Sequence, residues 1–472
     1  FLVDDLVTKG YYPQVKLDDS MPAQEYIQLP LLTQSDYIDV TSSRLIEQVS
    51  NSKAVIQVSV YNPAGEEITG ITFKDFNDEN VKIVSQEYSE GQSNVTIELQ
   101  NPIRSLSKYS IMSVTSSGAF GIPSTRSYKE NERVIDADFY REINNVTDWK
   151  NISKSPTENY ILMQDLDFIN EGSSILITTT YSGKINGNNK TINNMIVTGN
   201  YKGLFSTLSG TIENLFIENY THSEISSNSD NGFIGTASSN AKIDNVHIKG
   251  MEMTAIKNNS TLYVGGLIGN ATNTTISNSS VSDIKFSIED KNVSLAFGGI
   301  LGYGTFINVS NCFVQDIDFN AIDVYQITGI GGLIGRETNA YSTVINCYTT
   351  GTLYTNNGYS MGGIIGYTNG AMTIDKCYST VNISGTSNSS IAGIRGYGTG
   401  TNTTQHCLYL GDMYSYNINP TTRRIVGTVN SSYTNNYAYQ DQLINGYSTT
   451  ELGGADKLLS YDEIFYKSTY ID

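Results

Sequence analysis

The phrase VGGLIG (264–269) returns as FGGILG (297–302), IGGLIG (330–335) and MGGIIG (361–366), and no other feature limits the fold of this chain so strongly. Aligned on the glycine before the aliphatic pair, the series reads Gly203, Gly232, Gly266, Gly299, Gly332, Gly363 and Gly393. A degenerate eighth copy places Arg424 there. The steps are 29, 34, 33, 33, 31, 30 and 31 residues. One copy would suffice for a phosphate-binding loop, so a recurring phrase is scaffold. A period near 31 is too long for a hairpin array and fits one turn of a solenoid.

A second row runs through each period: TIENLFI (211–217), KIDNVHI (242–248), TISNSSV (275–281), NVSNCFV (308–314), VINCYT (344–349), TIDKCYS (373–379) and TTQHCLY (403–409). A third, less regular polar–apolar run follows. Helical repeats of this length would show a 3.6-residue period, and none is present. The arithmetic predicts an all-β fold, a right-handed parallel β-helix with three strands per coil and a repeat of about 31 residues.

Two columns of the second row carry specific expectations. Asn214, Asn245, Asn278, Asn311 and Asn346 share one position, which changes to Lys376 and then His406. Asparagine tolerates the left-handed corner and its amides can bond from coil to coil, so the column predicts a structural ladder. One place further on stand Cys312, Cys347, Cys377 and Cys407, which are all the cysteines of the protein. Zinc knuckles and redox pairs space their cysteines two to four residues apart, so this column predicts stacked, buried thiols.

Composition narrows the function classes. The 47 acidic residues against 29 basic ones give a net charge of −18, which disfavours nucleic acid and anionic membranes as partners. No apolar run reaches the length that spans a bilayer, so no membrane insertion is expected. There is no HExxH, GxSxG, P-loop or EF-hand loop, and DFNDEN (75–80) reads as a solvated turn. No catalytic residue, metal site or cofactor is assigned within the chain.

Residues 1–130 alternate apolar and polar over 54–62, 81–88, 93–101 and 109–116, which predicts a small antiparallel β-sandwich. Residues 131–156 form a linker and a helical cap, with Phe139, Ile143, Val146 and Trp149 at helical spacing. The β-helix occupies 157–440. The tail, 441–472, reads as a helical segment around DKLLSYDEIF that is cut short, and the chain as a piece of something larger.

Two outward columns are the candidates for binding. The position after the repeated phrase reads Asn270, Tyr303, Arg336, Tyr367 and Tyr397. The position after the cysteine column reads Phe216, His247, Ser280, Phe313, Tyr348, Tyr378 and Leu408. Tyrosine and arginine are enriched at binding hot spots, while stacked aromatics also stabilise adjacent strands.

The GGLIG phrase with its following I-x-N strand resembles the GLUG motif of large bacterial surface proteins. TENYILMQDLDF (157–168), GKINGNNKTINNMIV (183–197) and GLFSTLSGTIENLFIEN (203–219) resemble the β-helix of the streptococcal IgA1-specific zinc metallopeptidases and related surface proteases. The strand-rich beginning and LLSYDEIFYKSTYID (458–472) are similar to that family's flanking stretches. The resemblance implies a non-catalytic region of a secreted, cell-wall-associated protease of a Gram-positive bacterium, with zinc and the catalytic glutamate in a downstream domain. It also implies a host glycoprotein partner, such as immunoglobulin A or a mucin. A GLUG-repeat adhesin or stalk is the second reading, and a polysaccharide-acting β-helix enzyme the third.

Overall fold

A computed structural model describes residues 14–15, 27–28, 38–50, 53–74, 76–100, 109–118, 123–135, 140–225, 230–256, 261–288, 293–322, 324, 326–338, 341–356, 360–385, 390–415, 423–427, 432–444, 447–448 and 457–464. The chain divides into two compact units, Phe1–Arg141 and Glu142–Asp472.

In the first unit an antiparallel sheet runs in the order Asp39–Ser50, Lys53–Asn62, Gly91–Gln100, Val81–Ser89. A second antiparallel sheet holds Ile68–Phe73, Ile111–Ser116 and Ser124–Ser127. Both sheets feed one apolar core. Ala54, Ile56, Val58 and Val60 are buried on alternate positions together with Val95, Ile97 and Leu99, as a two-residue period requires. Asp78–Asn80 form a 3-10 turn with no buried residue, while Asp75 of the same acidic stretch lies outside the described residues.

The second unit is a parallel β-helix of about eight turns. Its first coils are stacked long strands, Lys184–Thr198, Thr211–Ile225 and Lys242–Ala255. The next coil resolves into three strands, Thr261–Gly265, Ile268–Ser277 and Ser280–Ile288, and the one after into Ser294–Gly298, Leu301–Ser310 and Phe313–Ala321. The following coil has four: Gln326–Gly331, Ile334–Thr338, Ser342–Ile345 and Tyr348–Thr355.

The repeated phrase is a corner. In VGGLIG the first strand ends at Gly265 and the next begins at Ile268, and both aliphatics, Leu267 and Ile268, are buried. Strict strand alternation would have turned one of them outward. The chain instead bends between them, and two successive amides converge on one carbonyl of the following coil. Leu267 N and Ile268 N both donate to Ile300 O, Ile300 N and Leu301 N to Leu333 O, and Leu333 N and Ile334 N to Ile364 O. Each buried aliphatic contributes roughly 1.5–3 kcal/mol relative to exposure.

The three glycines face three different obstacles. A Cβ on Gly331 would lie 1.9 Å from Ile334 O, on Gly332 2.1 Å from Gly363 O, and on Gly335 2.6 Å from Gly302 O and 2.7 Å from the backbone of Phe297. Glycine is used here for close backbone approach.

Left-handed corners recur every five residues along a coil: Asn273, Asn278 and Asp283 (φ 52, 50 and 52), then Phe306, Asn311 and Asp316 (φ 54, 53 and 54). These corners, with the glycine phrase, close each turn.

Two expectations need correction. The predicted helix from 139 to 149 is only Val146–Lys150, followed by the 3-10 turn Asn151–Lys154; Ile143 belongs to the strand Arg141–Ile143, and Phe139 lies outside the described residues. Asn145 caps this helix by accepting from Asp148 N. Trp149 is fully buried, donates from Nε1 to Ile175 O at 2.9 Å, and packs on Phe168 and Phe205. In the tail, Lys457–Leu459 is a strand parallel to Tyr437–Tyr439 rather than helix, and among the described residues only Tyr461–Ile464 is helical. The open edge of the preceding coil, with a buried site for Leu459, outweighs local helix propensity.

Candidate functional site

The solenoid brings each sequence column into a physical row. In the asparagine column, φ lies between 50 and 55 at Asn214, Asn245, Asn278, Asn311 and Asn346. Side-chain amides bond along the axis: Asn245 Nδ2 to Asn214 Oδ1 at 2.9 Å, Asn311 to Asn278 at 3.1 Å and Asn346 to Asn311 at 3.3 Å. The ladder is interrupted once, where Asn278 Nδ2 donates to Asp244 Oδ1 instead of reaching Asn245. Lys376 and His406 hold the same left-handed corner (φ 55 and 52) without an amide. His406 Nδ1 lies 2.7 Å from Asp375 Oδ1.

The four cysteines are free and buried in one row. Each thiol donates to the carbonyl two residues before it: Cys312 to Ser310, Cys347 to Ile345, Cys377 to Asp375 and Cys407 to Gln405, at 3.1–3.3 Å. Burial pushes the Cys312 and Cys377 thiols up, away from the reactive thiolate. A bulky aromatic disulfide reagent is therefore expected to label fewer than one thiol per native molecule and all four in denaturant. Rapid labelling of two or more native thiols would contradict the packing.

Two aromatic rows line the outside. After the cysteine column, Phe313, Tyr348 and Tyr378 stack face to face with centroids 4.8 and 4.9 Å apart and planes within 6°. Further along the same register Phe216 stacks on His247 at 5.1 Å. Ser280 departs from the outward expectation: the His247 imidazole bonds its hydroxyl at 2.7 Å and it is buried between larger neighbours. The faces shared by Phe313, Tyr348 and Tyr378 serve strand packing, and Tyr378, at the end of the stack beside Leu408, is 41% exposed.

The row after the repeated phrase differs in kind. Asn270, Tyr303, Arg336, Tyr367 and Tyr397 pair coil to coil in unbroken register. Tyr263, on the strand before the corner, stacks on Tyr303 at 4.6 Å, so the two arms of the corner meet on its outer side. The small residues Ala296 and Gly329 follow Tyr263 in its column, opposite the large side chains of the row. Arg336 Cζ lies 4.7 Å from the Tyr367 ring centroid, and Tyr367 stacks on Tyr397 at 5.6 Å. The Tyr303 hydroxyl bonds that of Thr338. Burial, with the Tyr303 phenol beside it, pushes the Tyr263 phenol up, while Arg336 acts in the opposite sense. At the first coils the corner holds a paired cation, with Lys202 Nζ 3.3 Å from Asp230 Oδ2 and Asn270 Nδ2 donating to Asp230 Oδ1.

Arg336 and Arg395 fall in different columns of the repeat, the first in the row of Tyr367 and Tyr397. Arg395 pairs in register with Ile365, in the inward column, and is fully buried; burial lowers its pKa to about 10. Beside this column lies Glu337, buried one position after Arg336, which sequence reasoning did not single out. The signal was available, because an acid stands where the neighbouring coils carry Gly304, Thr368 and Gly398.

Among the described residues, no group of three or more His, Cys, Asp or Glu side chains could hold a metal ion, and no helix is long and apolar enough to cross a membrane. The fold and its repeated corner define a parallel β-helix, and the family model of the GLUG motif matches residues 260–287. Among solved structures, the chain is similar to a Bacteroides ovatus protein described as a "putative immunoglobulin A1 protease". Identity is 15%, with 63% of this chain and 84% of that chain covered and a TM-score of 0.35. No curated protein matches the sequence.

Proposed function

We propose that this chain is the non-catalytic recognition and spacer region of a secreted, cell-surface zinc metalloprotease that acts on a host glycoprotein such as immunoglobulin A. Zinc and the hydrolytic chemistry belong to a downstream domain, and the solenoid, wound right-handed and closed at its start by the Trp149 segment, holds or orients the substrate. The observation that carries this reading is the Tyr303–Arg336–Tyr367–Tyr397 row, a continuous polar and aromatic face on a rigid stack. The stretches 157–168, 183–197 and 203–219, which resemble the β-helix of that protease family, support the parentage.

The folded chain is expected to retain immobilised immunoglobulin A or mucin, and to lose that retention on unfolding. Absence of retention for both glycoproteins sinks the recognition role. The GLUG match at 260–287, a motif not confined to proteases, favours a second reading as an adhesin or stalk. The sequence encoded after Asp472 discriminates between them: HExxH with a distal glutamate favours the protease, and further repeats or an anchor favour the adhesin.

A further inference from the structure

The geometry points to a monoanionic glycan as the ligand of the re-entrant corner, with one carboxylate or sulfate on the Arg336 guanidinium and sugar hydroxyls along the tyrosine row. This rests on the recognition role proposed above and adds the chemical class of ligand.

Arg336 is half-buried in a chain of net charge −18, yet among the described residues it has neither an ion-pair nor a hydrogen-bond partner, and its Nε is shielded from solvent. Comparable half-buried cations are matched: Lys202 with Asp230, Lys184 with Glu213, Lys150 with Glu171 and Arg133 with Asp39. A guanidinium removed from water without a carboxylate costs free energy that an arriving anion recovers, and its planar fork suits a carboxylate or sulfate. The Tyr367 ring beneath it holds the fork by a cation–π contact and supplies no charge of its own.

The surroundings then limit the anion. A polyanion meets the repulsion of 47 acidic residues, so a single negative group fits and a sulfated polymer does not. Tyr303 to Tyr397 spans three coil steps, about 14 Å. Along that length the ring faces are largely occupied by stacking, so what the row offers is phenol edges. Hydrogen-bonding edges in a shallow corner suit a hydroxyl-rich chain better than an apolar peptide.

The test is calorimetric titration of the full chain with sialyllactose, 3′-sulfated lactose and neutral lactose as probes. The expected result is binding of at least one acidic sugar at least tenfold tighter than lactose, with the better of the two identifying carboxylate or sulfate as the source. Arg336→Gln is expected to abolish that preference and leave the circular dichroism spectrum unchanged, because no internal ion pair is broken; Arg336→Lys is expected to keep part of it. Equal affinity for acidic and neutral sugars, or an unaltered preference in Arg336→Gln, overturns the inference. Retention of immunoglobulin A before and after enzymatic removal of its acidic sugars separates the two levels. Undiminished retention by both wild type and Arg336→Gln leaves the recognition role standing and removes the glycan. Tight binding of an acidic peptide in place of the sugars assigns the corner to protein recognition and likewise overturns it.

Discussion

Gly331→Ala is expected to destabilise the solenoid by roughly 3–5 kcal/mol, at the upper end of single-residue effects. The added methyl would lie 1.9 Å from Ile334 O and 2.8 Å from Gly366 N. Both obstacles are backbone, in two successive coils, and neither can rotate away. Relief by moving the corner is blocked as well, since Leu333 N and Ile334 N are both committed to Ile364 O. Because each coil touches only its neighbours, the damage falls on the contact between adjacent turns. Urea unfolding is expected to lose cooperativity, and limited proteolysis to open near residues 331–335. Gly70→Ala is the control, as its methyl would meet nothing closer than Thr115 Cβ at 3.8 Å, and glycine in a strand interior is unfavourable to begin with. Equal midpoints for the two variants would remove the steric account of the repeated phrase.

That phrase shows how far the sequence could be read. Its period alone predicted stacked parallel coils, because only a solenoid needs the same backbone fit every 31 residues or so. The asparagine column was legible because its residue type tolerates a left-handed corner. The corner five residues later, at Asn219, Gly250, Asp283, Asp316 and Gly351, was not singled out, although its residue types are favoured in turns. The corners at Phe306 and Tyr341 were hidden, since neither residue type favours positive φ and only the neighbouring coils impose it. The Tyr303–Arg336–Tyr367–Tyr397 row was legible as a register column, yet its re-entrant setting was not: that Tyr263 reaches Tyr303 depends on the angle between two arms, which no local pattern encodes. Arg336 and Arg395 are offset by two positions in the repeat, and that offset decides between the outward tyrosine column and the buried column of Ile365.

The inner side of that offset gives the second large effect: Glu337→Gln is expected to stabilise the protein above neutral pH and to flatten its pH dependence. Glu337 is fully buried; Ser342 Oγ donates to its Oε1 at 3.0 Å, and its Oε2 has no partner. In the next coil Thr368 Oγ1 is also buried without a partner, and a Cβ on Gly398, one coil further, would lie 3.1 Å from Arg395 Cζ. Burial raises the Glu337 pKa from 4.5 to about 7, partly opposed by the bonds from Ser342 and the Asn369 backbone. The sign follows from proton counts. Between pH 4.5 and 7 the folded carboxyl holds its proton while the unfolded one has released it, so stability is full below that window and falls as pH rises through it. The loss is on the order of 3 kcal/mol. Glutamine keeps the acceptor for Ser342 and has no charge to bury, so the variant should gain up to that amount at pH 8 and nothing at pH 4. His222, fully buried with its pKa lowered to about 4, acts oppositely: it favours the folded state increasingly as pH rises from 4 to 6.5. That contribution is common to both proteins and cancels in their difference, so urea midpoints at pH 4, 6 and 8, compared between wild type and variant, isolate Glu337. Parallel profiles would mean that the carboxylate is charged and compensated in the folded coil, with Arg395 two coils away as its counter-ion.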